Sequence, residues 1–172
     1  LIVLLLGSGG NGKSVLNSLA KYLLGDYYEV GQTDQLTKPD KQTSSANPFL
    51  ANIHGKRFIE YSEANNLIIN TSLLKRLTGG DDIKTRTLHS SRTISVSFNG
   101  IIVIHANEKP VIPTNSDGDY RRINMFRMDS SFVSNETYEE RKSDQRVHLR
   151  HEGVGNETRL QELATQALSI VL

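Results

Sequence analysis

Leu1-Ile2-Val3-Leu4-Leu5-Leu6-Gly7-Ser8-Gly9-Gly10-Asn11-Gly12-Lys13-Ser14 opens the chain, and this stretch decides how the rest is read. Six apolar residues in a row suit a parallel strand buried on both faces. From Gly7 onward, G-x-x-x-x-G-K-[ST] is satisfied at every fixed position. Val15, Leu16, Leu19, Ala20 and Leu23 then recur at helical spacing up to Gly25, a helix-stop residue. Strand, glycine loop and helix in that order form the context in which this motif holds phosphates. The glycines let backbone N–H groups turn inward at a helix N-terminus. Lys13 is placed to reach the β- and γ-phosphates, and the Ser14 hydroxyl to ligate Mg²⁺. ATP and Mg²⁺ are therefore the expected ligands, held by Gly7, Gly9, Gly10, Asn11, Gly12, Lys13 and Ser14. The competing reading is a chance glycine-rich turn.

Working outward, 172 residues suffice for one domain with its own core. Hydrophobic residues make up 37% and charged residues 23%, ordinary for a globular protein. The net charge is only +1, so any attraction to nucleic acid must come from basic residues gathered locally. The absence of cysteine excludes disulfides and thiolate zinc sites. The five histidines show no metal spacing, so no zinc is expected. No apolar run approaches the ~20 residues that span a bilayer, and no membrane association is expected. The chain begins inside an apolar strand without Met, as expected of a fragment of a longer protein.

Residues 31–47 are polar, contain Pro39 and read mostly as loop. Lys56 to Ser62 reads as a second strand, and Thr71 to Leu77 as a short helix ended by Gly79-Gly80. Ile83 to Leu88 and Thr93 to Phe98 flank a polar tip and read as a hairpin. Ile101 to Ile104 is another strand, Pro110 and Pro113 mark a loop, and Ile123 to Met128 is the expected last strand. Leu160, Leu163, Ala164, Ala167, Leu168 and Val171 share one helical face. The expected organisation is a core over 1–128, a polar loop or poorly ordered segment over 129–155, and an amphipathic helix over 156–172. Strands alternating with helices give an α/β fold with a largely parallel central sheet.

A nucleotide site of this type needs a carboxylate at the end of a neighbouring strand, to hold Mg²⁺ through water or polarise the attacking water. Glu63, just past the apolar stretch, is the first choice and a metal-side candidate. Glu60, inside the strand, is the second. Either can instead be a solvated strand-end charge.

Five blocks in sequence order resemble a known family: Gly7 to Ser14, Gly55-Lys56-Arg57-Phe58 running to Ser62-Glu63, Leu74-Lys75-Arg76-Leu77-Thr78-Gly79-Gly80-Asp81, Ile101 to Asn107, and Tyr120-Arg121-Arg122. Together they look like superfamily 3 helicases, the branch of primase–helicases found in poxviruses, other large DNA viruses and phages. The resemblance covers about residues 1–128, and its Lys-x-Leu-Thr-Gly-Gly-Asp block is far more specific than the glycine loop. It implies a P-loop NTPase with a modified AAA+ core, a hexameric homo-oligomeric ring, ATP hydrolysis between subunits and movement along single-stranded or forked DNA. It also implies a location inside the host cell, with a primase domain fused upstream in some relatives. Carried over by position, Asn107 takes the polar sensor role, against a simple turn Asn. Arg122, with Arg121 as fallback, takes that of the arginine finger, against a pair of solvated charges. Lys75 and Asp81 belong to the block that links nucleotide site and hairpin. Many relatives have Trp where this chain has Tyr120.

From Ile83 to Asn107 there is no acidic residue, while Lys84, Arg86, His89 and Arg92 supply basic ones. Lys84 and Arg86 are two apart and share one strand face; His89 and Arg92 lie at or beside the tip. Such a hairpin suits phosphate contacts without base readout, or else a basic edge that blocks strand pairing. Two other functions compete: a small-molecule kinase with the same glycine loop, and a non-catalytic nucleotide-binding subunit. The Thr-Gly-Gly-Asp block and the acid-free hairpin argue against the first, and intact Lys13, Ser14 and Glu63 against the second.

Overall fold

The computed structural model describes residues 1–37, 48–80, 82–86, 93–113, 117–151 and 153–171. Its centre is a five-stranded sheet in the order β2-β3-β6-β1-β7, with every pairing parallel. The strands are β1 (Ile2–Leu6), β2 (Tyr28–Val30), β3 (Phe58–Tyr61), β6 (Ile101–Ala106) and β7 (Ile123–Arg127), the last preceded by the short helix α5 (Asp117–Tyr120). Parallel strands need long crossovers, and helices supply the first: α1 (Lys13–Leu24) leads from β1 to β2. The fold is thus α/β around a parallel sheet.

The two sheet faces are chemically different because side chains alternate along each strand. Ile2, Leu4, Ile59, Tyr61, Ile102, Ile104 and Ala106 point to one face and form the main core. That face is covered by α2 (Thr33–Thr37), α3 (Pro48–Asn52), α4 (Thr71–Thr78) and the antiparallel pair β4 (Ile83–Arg86) with β5 (Thr93–Val96). Helix α4 begins at Asn70, whose side chain accepts the Ser72 N–H at 3.0 Å, and it buries Leu73, Leu74 and Leu77. Each buried leucine stabilises the packing by about 1.5–3 kcal/mol. The other face carries Leu5, Val103, Glu60 and His105 in register, the last two polar. Helix α1 lies on that side, and α7 (Glu157–Val171) packs on α1 through buried Leu160 and Ala164.

Several expectations are corrected. Within the segment 129–155, β8 (Ser131–Val133), α6 (Asn135–Arg141) and β9 (Val147–Leu149) form a small parallel βαβ unit rather than loop. Ile123–Arg127 is therefore not the last strand. Within 31–47, residues 33–37 are helical rather than loop, and the rest lies outside the described residues. β2 was not expected at all, having three residues and a central Glu29. On α1 and α7 the apolar stripes are incompletely covered, since Leu16 is 47% and Leu168 44% exposed. His89 and Arg92 at the hairpin tip, and Asp81, lie outside the described residues.

Candidate functional site

A sheet of this order creates a crevice where the chain reverses direction across it. From β1 the chain runs to the far edge at β2, returns through β3 and β6, and finally crosses to β7 on the other side of β1. The glycine loop leaves β1 at this reversal. Its entrance is fixed by Gly7 N–H to the Ala106 carbonyl at 3.1 Å, and by Met128 N–H to the Leu6 carbonyl at 2.7 Å. A Cβ on Gly7 would collide with the Asn11 amide and the Met128 carbonyl, so only glycine passes between them. Gly12 caps α1 at φ 87°, a left-handed conformation that favours glycine.

Lys13 folds back over this loop. Its Nζ donates to the carbonyls of Gly7 and Ser8 (3.1 Å for the latter) and to Asn11 Oδ1 at 3.0 Å. Partial burial lowers its pKa. Asn11 is buried and donates to the Met128 carbonyl at 3.2 Å, so it braces the loop from beneath. Ser14, on the first turn of α1, is exposed.

Glu60, Glu63 and Asn107 reach the same cleft, an open space of about 1520 Å³ above the C-terminal ends of β1, β3 and β6. Their states differ. Glu60 is only 9% exposed, and three side chains donate to it: Asn17 Nδ2, the Tyr28 hydroxyl, and Ser62 Oγ at 2.6 Å. Burial, then that hydrogen bond, pushes the Tyr28 pKa up, which keeps the phenol a donor. Glu63 is exposed, has no side-chain hydrogen bond or ion pair among the described residues, and sits at φ 59°. Non-glycine residues persist there only where surrounding structure dictates it. The following Ala64 N–H donates to the His105 carbonyl at 2.9 Å, which ties the Glu63 loop to β6. Asn65 Oδ1 accepts the N–H groups of Asn107 and Glu108, at 2.6 and 3.3 Å, and so fixes the turn that exposes Asn107.

Four residues of this cleft gave no signal at the sequence level. Asn17 lies one helical turn beyond Lys13, where a helical stripe reads as neutral. Tyr28 sits in an unexpected strand. His105 is the one polar residue in the run Ile101 to Ala106; it is 5% exposed, burial lowers its pKa, and its Nε2 has no hydrogen-bond partner among the described residues. Phe132 lies on β8, within the segment read as loop.

The arginines are elsewhere. Arg122 precedes β7, and its carbonyl accepts the Ile2 N–H, so it stands at the N-terminal end of β1, across the sheet from the loop. Its guanidinium donates to the Lys75 carbonyl at 3.0 Å and lies 3.5 Å from the Thr78 hydroxyl, at the C-terminus of α4. Arg121 is exposed. Lys84 and Arg86 are both exposed on one face of β4, while Ile83 and Thr85 point into the core.

These residues could hold a magnesium nucleotide: an ammonium beside a glycine loop, an exposed hydroxyl on the first turn of a helix, and an exposed carboxylate and amide on the same cleft. Among the described residues no helix is long and apolar enough to cross a membrane.

Comparison with known proteins agrees with this picture in fold and kinship. The chain is 37% identical over 131 residues to a protein of Acanthamoeba polyphaga mimivirus provisionally named helicase L207/L206, covering 75% of this chain and 13% of that protein. It is 27% identical over 154 residues to a protein of African swine fever virus provisionally named primase C962R, covering 86% and 16%. Primase D5 of fowlpox virus is 30% identical over 137 residues, covering 74% and 16%. The chain thus spans only a small part of these relatives' length. Among solved structures, the apo C-terminal region of NrS-1 (residues 305–718) superposes with a TM-score of 0.57 at 15% identity, covering 97% of this chain and 41% of that one, a likeness of fold. Residues 5–122 match the model of DUF5906, described as a family of unknown function, and the chain belongs to that family.

Proposed function

We propose that this chain is the ATP-hydrolysing motor of a viral replicative DNA helicase, a superfamily 3 P-loop ATPase with a modified AAA+ core. In this reading it works with Mg²⁺ inside the infected host cell, as a homo-oligomeric, hexameric ring on single-stranded or forked DNA. The names of the viral relatives support the replication role, and the primase names among them support a primase domain joined to it in the whole protein.

One observation carries the ATPase reading. The loop Gly7–Ser14 leaves a central parallel strand, and Glu63 and Asn107 face it from the ends of β3 and β6. Lys13, whose Nζ rests on loop carbonyls, is the cation that would meet the β- and γ-phosphate oxygens in their place. Ser14 and Glu63 are the residues that would hold Mg²⁺, whose charge offsets that of the phosphates. Glu63, unpaired, is free to orient water. Glu60, held by three donors, keeps Asn17 and hence α1 in register with β3. Asn107, on its fixed turn, offers an amide to the γ-phosphate or the attacking water.

The test is ATP hydrolysis with and without single-stranded DNA. The wild type should hydrolyse ATP faster with DNA, and Lys13→Ala should lose at least about 100-fold in rate. Near-normal hydrolysis by Lys13→Ala would remove the nucleotide assignment. Phosphate transfer to a small acceptor, without any DNA effect, would favour a kinase.

A further inference from the structure

The cleft above the sheet has two chemically different ends. One is polar, with Glu60, Glu63, His105 and Asn107. The other, built by α1 and the segment after β7, carries large exposed apolar side chains beside the polar Arg150, His151 and Asn156. Leu16, Phe132, Leu149 and Val154 all line it, with 47%, 40%, 48% and 37% of their surface exposed. Single exposed apolar residues need no explanation, but four around one cleft do.

This apolar end is held in register with the glycine loop. Phe132 N–H donates to the Gly10 carbonyl at 2.7 Å, and its ring edge lies 3.6 Å from where a Cβ on Gly12 would stand. The ring packs against His148, with centroids 5.5 Å apart and planes tilted by 34°. Ser131 N–H donates to the Arg146 carbonyl and Arg150 N–H to the Val133 carbonyl, each at 2.8 Å, which joins β8 to β9 and the residues beyond it. Arg150, exposed, lines the same end.

Resting on the nucleotide reading above, we infer that β8, β9 and the residues that follow form the nucleoside wall of the site, in which Phe132, Leu149 and Val154 take the faces of a nucleobase and Arg150 its ribose or α-phosphate. Three arguments carry this. A nucleoside triphosphate is polar at the γ-phosphate and flat and largely apolar at the base, and the cleft offers carboxylates and an amide at the strand ends and an aromatic ring beside the glycine loop. The cleft, at about 1520 Å³, exceeds the roughly 300–1,000 Å³ of ordinary small-molecule pockets, so a triphosphate alone leaves most of it unused. An aromatic ring and aliphatic neighbours recognise any base through its π-face, the chemistry that suits a fuel site.

Calorimetric titration of the full chain with MgATP and with inorganic tripolyphosphate separates the wall from the loop. Phe132→Ala, Leu149→Ser and Val154→Ser should each weaken MgATP, by on the order of ten-fold for the aromatic, and leave tripolyphosphate within two-fold of wild type. Retained tripolyphosphate binding also reports that the variant is folded. If Phe132→Ala does not fold, the two exposed aliphatic positions carry the test. Unchanged MgATP affinity in them would overturn the proposal and assign the apolar patch to a protein contact. Equal losses for both ligands would also overturn it, since the segment would then only prop the loop. A wild type that binds tripolyphosphate but not MgATP more tightly would overturn the wall alone, whereas a wild type that binds neither would overturn the nucleotide reading beneath it.

Discussion

Glu60 and Glu63 stand in one short stretch of chain, yet the fold puts them in different physical states. The first is buried beneath three donors; the second is exposed, without a side-chain partner among the described residues, on a left-handed backbone. Removing Glu60 leaves the Asn17 amide and the Tyr28 hydroxyl unpaired in the interior, at about 1–3 kcal/mol each. For a chain of this size each kcal/mol lowers the melting temperature by roughly 2–4 °C. Glu60→Ala should therefore melt about 4–24 °C below wild type in a thermal scan. Glu63→Gln should melt with the wild type and still bind ATP, yet fail to turn it over. If Glu60→Gln instead gave the bound-but-inactive state, with Glu63→Gln nearly normal, the two roles would have to be exchanged.

At the scale of elements, the β4–β5 pair is anchored on one face and open on the other: Ile83, Thr85 and Val96 are buried, Lys84 and Arg86 exposed. If that open face grips the phosphates of single-stranded DNA, Lys84→Ala combined with Arg86→Ala removes two contacts. The plot of log affinity against log salt should then become shallower by about 1.4, at roughly 0.7 per contact, with basal ATP hydrolysis kept. Unchanged DNA binding would leave these two only as edge-guarding charges. The elements also show what the sequence makes legible. β1, β3, β6, the hairpin strands and α4 are readable because each has an apolar run or a strict alternation over four or more residues. β2, β8 and β9 have three residues each, too few for a period to register, and α6 (NETYEER) buries none of its residues. What orders β8 is backbone bonding to Gly10 and to the Arg146 region, which no local pattern announces. The site divides along the same line. Lys13 and Ser14 are readable from the motif, Glu63 from its strand end, and Asn107 only through the family resemblance. Asn17, Tyr28, His105 and Phe132 acquire their place only when four strands and a distant segment converge.

For the whole molecule, the direction of the sheet separates two surfaces. Lys13, Glu63 and Asn107 stand at the C-terminal ends of the strands, and Arg121 and Arg122 at the N-terminal end of β7. Five residues of β1 at roughly 3.3 Å each put about 16 Å of strand between them, farther than an arginine side chain extends. Neither arginine can serve the cleft of its own chain, but a head-to-tail ring sets two different surfaces against each other at every interface. The two arginines are not equally available for that. Arg122 is engaged at the C-terminus of α4, where a cation stabilises the helix end by about 0.3–1 kcal/mol, while Arg121 is exposed. Each variant, Arg121→Ala and Arg122→Ala, should therefore be mixed with Lys13→Ala. A finger in trans gives mixed interfaces that join an intact loop to an intact arginine, and some hydrolysis should return, because such a group contributes about 10³ to 10⁵ in rate. Recovery with Arg121→Ala, alongside a small loss of thermal stability in Arg122→Ala alone, would make Arg121 the finger and Arg122 its support. Recovery with Arg122→Ala alone would make that residue leave α4 when the ring assembles. No recovery with either, in subunits shown by sizing to co-assemble, would take both arginines out of the chemistry and leave the neighbouring surface with a purely structural part.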